Sequence, residues 1–267
     1  MINTVQVEIP QILERYELKY HIPFDLVEPI SDFVKPYCSL DRYSEIEENN
    51  FYVINNLYLD SVFYTFLKNR LEGAEKRFNM RIRSYGKKPV PPYFFEIKHK
   101  EGDIIKKFRA KCCCENIEQL FFSSDPVNEF GFTGNEAKNI DLFRQIAISY
   151  GVEPKILTQY KRKAWISDTD DYARVTFDVD LKCMEENSFN VIPDEKRLDN
   201  YDNETIFDPG CSTILELKCY TSNVPSWMID LIQRFNLKRG SFSKYSNGAL
   251  KIIGDCRSFL RTDQSDR

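Results

Sequence analysis

Arg77-Phe78-Asn79-Met80-Arg81-Ile82-Arg83 sets a polar or basic residue at every second position and an apolar one in each gap. Successive side chains of a strand leave on opposite faces, so the stretch reads as a β-strand with one basic and one apolar face. Four more segments repeat the pattern on alternate residues: Leu13-Arg15-Glu17-Lys19, Glu96-Lys98-Lys100, Arg174-Thr176-Asp178-Asp180 and Glu216-Lys218. The gaps hold β-favouring types, Ala173, Val175, Phe177 and Val179 in one case and Leu215, Leu217 and Cys219 in another. If the polar faces converge they make a cationic cavity. A half-buried sheet with its charges in water produces the same alternation, so periodicity leaves both arrangements open.

Composition is compatible with either. The 267 residues are 42% hydrophobic and include 20 Phe and 15 Tyr, ample for one large β-rich domain or two small ones. The net charge is −4, which speaks against a generic nucleic-acid binder and requires any anion site to come from local segregation of charge. Of the eight cysteines, Cys112, Cys113 and Cys114 are consecutive, while Cys38, Cys183, Cys211, Cys219 and Cys256 form no CxxC pair. That spacing suits neither a zinc site nor a disulfide framework, and reduced thiols in a cytoplasmic protein are expected. Met1 to Pro10 lacks the pattern of a signal peptide, and no stretch approaches the roughly 20 apolar residues of a membrane span.

Along the chain, strands are expected at about Ile12 to His21, Phe51 to Leu59, Arg77 to Tyr85, Tyr93 to Lys100, Ile104 to Ala110, Ile156 to Trp165, Tyr172 to Leu181, and again from Thr213. Gly86 to Pro92 and Glu101-Gly102-Asp103 read as turns. Helices are expected over Phe24 to Lys35, Ile117 to Phe122, Glu136 to Tyr150, after Pro225, and from a Ser243 cap to about Asp255. Glu185 to Pro209 reads as a long surface excursion. About eight strands with helices in the crossovers fit a closed antiparallel barrel as well as an open sheet.

Six short motifs then occur in a telling order: Arg15-Tyr-Glu17-Leu-Lys19-Tyr20, Arg81-Ile-Arg83-Ser-Tyr85, Glu96-Ile-Lys98, Arg174-Val-Thr176-Phe-Asp178, Glu216-Leu-Lys218 and Ser243-Lys244-Tyr245. In this order they resemble the VTC domain, the catalytic domain of the vacuolar transporter chaperone polyphosphate polymerases and a branch of the CYTH-like triphosphate tunnel metalloenzymes. The resemblance covers about Ile12 to Ile253 and implies a single domain, residues 1–267, of the α+β class. Its expected architecture is a closed antiparallel eight-stranded β-barrel, the triphosphate tunnel, with polar side chains inward and flanking helices.

Residue by residue, the resemblance implies phosphate-binding, catalytic roles for Lys19, Arg81, Arg83, Lys98, Arg162, Arg174, Lys218 and Lys244. Glu17, Tyr160 and Ser243 are expected to bind substrate, and Glu216 to hold a divalent metal, Mn²⁺ or Mg²⁺. A further family lysine falls in the strand after Glu96-Ile-Lys98, where Lys106, Lys107 and Arg109 compete; motif alignment favours Lys106. Taken singly, each such residue is more often a solvated surface charge, and only the joint occurrence sets them apart. The residue types suit the chemistry, because a desolvated polyanion needs several guanidinium and ammonium donors and phosphoryl transfer asks mainly for positioning and charge neutralisation.

One position departs from the hydrolytic members, which begin with Glu-x-Glu-x-Lys; here the first is Arg15. An acceptor phosphate is already anionic and needs no general base, so a transferase tolerates that loss better than a hydrolase. The leading expectation is an ATP-polyphosphate phosphotransferase working on ATP and polyphosphate, with no nucleic-acid partner and no membrane segment of its own. A triphosphatase acting on tripolyphosphate or nucleoside triphosphates, and a non-catalytic polyphosphate-binding module, are the alternatives. Export of product across a membrane would require a separate partner.

Overall fold

The computed structural model of the chain describes residues 15–101, 104–123, 125–202 and 212–254. The start of the first expected strand, the Gly102-Asp103 turn, part of the 185–209 excursion, Cys211, Cys256 and the end of the last helix at Asp255 lie outside the described residues.

The elements run β1 (Arg15–Ile22), α1 (Val27–Val34), β2 (Cys38–Leu40), α2 (Arg42–Glu45), β3 (Tyr52–Ser61), α3 (Thr65–Leu71), β4 (Lys76–Tyr85), β5 (Tyr93–Glu101) and β6 (Ile104–Cys112). They continue with α4 (Ile117–Phe122), α5 (Gly134–Tyr150), β7 (Val152–Ser167), β8 (Ala173–Glu185), β9 (Asp199–Asn200), β10 (Thr213–Tyr220), α6 (Ser226–Arg234), β11 (Arg239–Gly240) and α7 (Lys244–Ile253). The strands form one antiparallel sheet of 11 in the order β11-β1-β10-β8-β7-β3-β4-β5-β6, with β2 added to β7 and β9 to β8.

The eight long strands match the expected number, but the expected closed barrel does not form. Both edges of β1 are taken, one by β10 and the other by β11 at Lys19↔Gly240 and Tyr20↔Arg239, so β6 has no ladder to complete. The sheet still curls. Six strand steps of about 4.8 Å would hold β1 and β5 roughly 29 Å apart in a flat sheet, yet Lys98 Nζ of β5 lies 2.6 Å from Glu17 Oε2 of β1. The result is a trough whose ends are bridged by side chains and not by backbone pairing.

Alternation decides what each face of the trough does. The apolar partners point outward into two cores: Met80, Ile82, Phe95 and Ile97 pack with Leu120, Phe121, Ile140 and Phe143 of α4 and α5. Val175, Phe177, Leu215 and Leu217 pack with Ile30 and Val34 of α1 and with Trp227, Met228 and Leu231 of α6. Helices therefore cover the convex side, and the polar faces are left to line the concave one.

At one end of the concave side α7 closes the trough. Tyr245 and Ala249 pack with Tyr58, Ile156, Tyr160 and Cys183. The Tyr245 hydroxyl donates to Asp60 Oδ2 at 2.6 Å, and that carboxylate also accepts the Phe66 and Leu67 amides at the start of α3. α7 comes close to the sheet at Gly248, where an added Cβ would lie 3.4 Å from Cys183 Cβ and 3.5 Å from Thr158 Cγ2.

A bulge in β8 prepares this seat. Lys161 pairs with Val179 and Gln159 with Lys182, so β8 carries an extra residue, and Asp180 takes a left-handed φ of 53°. The parity of the strand flips there. Asp178 stays on the concave face, while Asp180 turns away to pair with Lys161 and Lys182 at 3.0 and 3.2 Å. The sequence pattern Arg174-Thr176-Asp178-Asp180 is thus corrected at its last member. The same flip turns Leu181 and Cys183 inward against α7.

Candidate functional site

The concave face gathers ten basic side chains in ion pairs with five carboxylates among the described residues: Lys19, Arg81, Arg83, Lys98, Lys107, Arg109, Arg162, Arg174, Lys218 and Lys244 against Glu17, Asp41, Glu96, Asp178 and Glu216. An excess of cations over anions is what remains for a ligand to neutralise.

Two carboxylates act as hubs. Glu96 of β5, only 2% exposed, is approached by Arg81 at 2.6 Å, Lys107 at 2.9 Å, Arg109 at 3.4 Å and Arg83 at 3.7 Å. Burial pushes its carboxyl up, but Arg83, Arg81 and Lys107 outweigh that and hold it well below the usual carboxylate range. Asp178 of β8 accepts a bidentate pair from Arg162 Nε and Nη2 at 2.6 and 2.7 Å, and Lys244 Nζ at 2.5 Å. Burial again opposes ionisation, and Arg162 and Lys244 bring the Asp178 carboxyl down to about 2. These pairs fix the guanidinium planes in place before any ligand arrives.

Tyr160 stands between the hubs. Arg162 and Lys244 lie over its ring, at 5.4 and 4.5 Å from the centroid. Its hydroxyl is buried and has no hydrogen-bond partner among the described residues. Burial pushes the phenol up, and the charges of Arg162, Arg83 and Lys244 more than offset it, leaving it below its ordinary value. A buried donor left unpaired costs free energy, and an anion among three cations is the partner such a group would take.

On β1 and β10 the antiparallel register sets Glu17 opposite Lys218 and Lys19 opposite Glu216. Lys218 reaches Glu216 at 3.2 Å and Lys19 at 3.8 Å, and Lys19 Nζ also donates to the Phe242 carbonyl at 2.8 Å. Burial lowers the Lys19 ammonium to about 8, with Glu216 pulling the other way. Glu216 itself is held well below the carboxylate range, since Lys218, Lys19 and Lys244 outweigh its burial.

Glu17 and Glu216 are diagonal neighbours on one face, and no third His, Cys, Asp or Glu joins them in a metal-sized group among the described residues. Two carboxylates do not make a protein-only cage. They do match the donor set of a Mg²⁺-type ion that takes one or two carboxylates plus the oxygens of a phosphate substrate.

Of the residues expected from sequence, Lys19, Arg81, Arg83, Lys98, Arg162, Lys218, Lys244, Glu17, Glu216 and Tyr160 are brought together in this web. Arg174 joins from one end, tied to Asp41 at 2.8 Å. Among the described residues, the remaining two, Lys106 and Ser243, make no ion pair in this web. Lys106 points to the opposite face of β6, because it is Lys107 and Arg109, two residues apart, that reach Glu96. Ser243 Oγ accepts the Ser246 amide at 3.3 Å and so caps α7.

Sequence reasoning assigned no role to Glu96 or Asp41. Glu96 sits inside the motif with Lys98 and was legible as a face-mate. Asp41 lies in a polar stretch with no periodic signal, yet it caps α2 through Ser44 and accepts from the Tyr52 hydroxyl and Arg174.

A family model, described as the VTC domain, matches residues 14–253. The chain belongs to the VTC domain family. Membership of the VTC domain family supports a function on triphosphates or polyphosphate. No curated protein matches the chain significantly. Among solved structures, a candidate adenylate cyclase from Vibrio parahaemolyticus is similar at 12% identity and a TM-score of 0.45, covering 89% of this chain and 98% of that one. A candidate adenylate cyclase from Bacillus halodurans is similar at 10% identity and a TM-score of 0.46, with 91% and 98% covered. A candidate adenylyl cyclase from Hippeastrum, described as having a dominant triphosphatase activity, is similar at 11% identity and a TM-score of 0.44, with 88% and 95% covered. No described helix of this VTC-domain chain is long and apolar enough to cross a membrane.

Proposed function

We propose that this VTC-domain protein is a metal-dependent polyphosphate polymerase that transfers the γ-phosphoryl group of ATP to a polyphosphate chain held on the concave face. The observation that carries the reading is the surplus of cations there, ten against five carboxylates, with eight of the ten buried or half-buried. A bound triphosphate brings roughly four negative charges and offsets most of that surplus. Arg81, Arg83 and Arg162 supply planar forks for phosphate oxygens, and Lys98, Lys218 and Lys244 supply point charges. Because the ion pairs already hold these groups in place, little reorganisation is needed as charge shifts toward the leaving oxygen.

Glu216 and Glu17 are the residues that would hold a divalent ion arriving with the nucleotide. Such an ion, Mn²⁺ or Mg²⁺, would supply Lewis-acid neutralisation of the phosphate charge.

Transfer is favoured over hydrolysis by the state of the acids. A base that activates water works best with a pKa near the operating pH. Glu17, Glu96, Asp178 and Glu216 are all held below their ordinary values by the cations around them. Arg15, at the position where hydrolytic members of the superfamily carry a glutamate, has its guanidinium 4.3 Å from the Tyr172 ring centroid and 5.3 Å from that of Tyr220. A phosphate acceptor needs no base. The neighbouring Glu17 and Glu216 are the one feature that favours a triphosphatase instead.

Incubation of the purified protein with radiolabelled ATP and Mn²⁺ or Mg²⁺ separates the two. Label in long polymer supports the polymerase. Rapid release of orthophosphate from tripolyphosphate, with no polymer made from ATP, refutes it.

A further inference from the structure

The cationic face does not end where its carboxylates end. Arg77 lies on the same side of β4 as Arg81, and Lys100 on the same side of β5 as Lys98; the β4–β5 register sets Arg77 directly opposite Lys100. Like charges facing each other across a ladder destabilise it unless an anion sits between them. α3 brings a third cation. Burial, and then the charge of Arg77, hold Arg70 below its ordinary value, while Tyr58 beside it pulls the other way. The Tyr58 hydroxyl in turn accepts from Arg81 at 3.3 Å, so Arg70 adjoins the site through a shared neighbour, while Arg77 adjoins it along β4.

No carboxylate lies within ion-pair distance of Arg70, Arg77 or Lys100 among the described residues. Glu101, at the end of the same hairpin, is engaged by Lys76 at 2.7 Å. Arg77 Nη1 donates to the Ala74 carbonyl at 2.8 Å, and its Nε is buried with no hydrogen-bond partner among the described residues. These three cations therefore differ in kind from the paired ones of the site.

We infer that Arg70, Arg77 and Lys100 form a binding lip for the part of an inorganic polyphosphate chain that extends beyond the phosphates held at Arg81 and Arg83. The inference rests on the polyphosphate reading above. Arg77 and Arg81 are four residues apart, about 13 Å along a strand, so an anion that engages both is extended and charged along its length. Polyphosphate has that form. The chain's net charge of −4 argues against a general nucleic-acid surface.

Calorimetric titration of the full chain with inorganic triphosphate and with long-chain polyphosphate tests this. In Arg77→Ala and in Arg70→Ala/Lys100→Ala, long-chain affinity falls by roughly tenfold or more, triphosphate affinity stays within about twofold of wild type, and Arg77→Lys retains most of the long-chain affinity. Equal loss for both ligands, or no loss for either, overturns the lip. So does an equal loss for a single-stranded RNA of matched charge, which would mark the surface as a general polyanion patch. A wild-type chain that binds no triphosphate would refute the proposed function itself, a result separate from these.

Discussion

Replacing Tyr160 by Phe removes one atom, and the structure predicts opposite signs for its effects on stability and on binding. The hydroxyl is buried without a partner among the described residues, so the folded protein holds an unsatisfied polar group. An unpaired buried hydroxyl costs about 1–3 kcal/mol, and its removal leaves the ring to keep its contacts with Arg162 and Lys244. The variant is expected to be unchanged or more stable by up to about 1 kcal/mol in urea unfolding. A hydroxyl that donates to a phosphate oxygen makes a charge-assisted bond of about 1.5–3 kcal/mol, so triphosphate affinity should drop by roughly ten- to a hundredfold. Absorbance gives a second reading in the wild type. The phenol lies below its ordinary value because of Arg162, Arg83 and Lys244, and a bound anion that neutralises them should move its titration upward. A variant destabilised by more than about 1 kcal/mol that binds triphosphate unchanged would refute the reasoning, since the hydroxyl would then serve the fold and not a ligand.

Lys19 titrates near 8 in the free protein and regains its proton beside a polyanion, so triphosphate binding should take up protons around pH 8 and weaken as pH rises above it; calorimetry in buffers of different ionisation enthalpy reads this directly, and zero uptake would contradict it. Asp178→Asn leaves Arg162 and Lys244 buried without their shared anion and should cost about 3–5 kcal/mol in denaturant unfolding, part of it restored by added triphosphate. In the wild type, the Asp178 carboxyl at about 2 lies below its unfolded value near 3.8, so its contribution of about 2 kcal/mol is present above pH 4 and lost as pH falls toward 2. Glu216→Gln should leave the fold intact and abolish metal-stimulated turnover; unchanged metal dependence would pass the ligand role to Glu17 or Asp178.

The strands, their two faces and most of the basic residues were legible in the sequence, because side-chain alternation is local: whatever its neighbours, Arg81 leaves a strand on the same side as Arg83 and opposite to Ile82. The helices after Pro225 and Ser243 were legible for the same local reason, since a fixed φ and a capping hydroxyl act within one turn. Alternation also carries its own failure. It gave no sign of the bulge at Asp180, where one extra residue, opposed by nothing on β7, reverses every face that follows. It also left Lys106, Lys107 and Arg109 in competition, a choice made only by which face of β6 meets Glu96.

What the tertiary structure decided is pairing between distant segments. Nothing local to β1 announces that β11, more than 200 residues later, will take its second edge and keep the sheet from closing. Nor does the text around Asp41 or Asp178 reveal which cation each will neutralise, since Arg174 and Lys244 reach them from remote elements. Alternation is a property of consecutive residues, whereas closure, charge pairing and the burial of the Tyr160 hydroxyl depend on which strands the folded chain sets side by side, and that is settled only when the outer cores pack and the sheet curls.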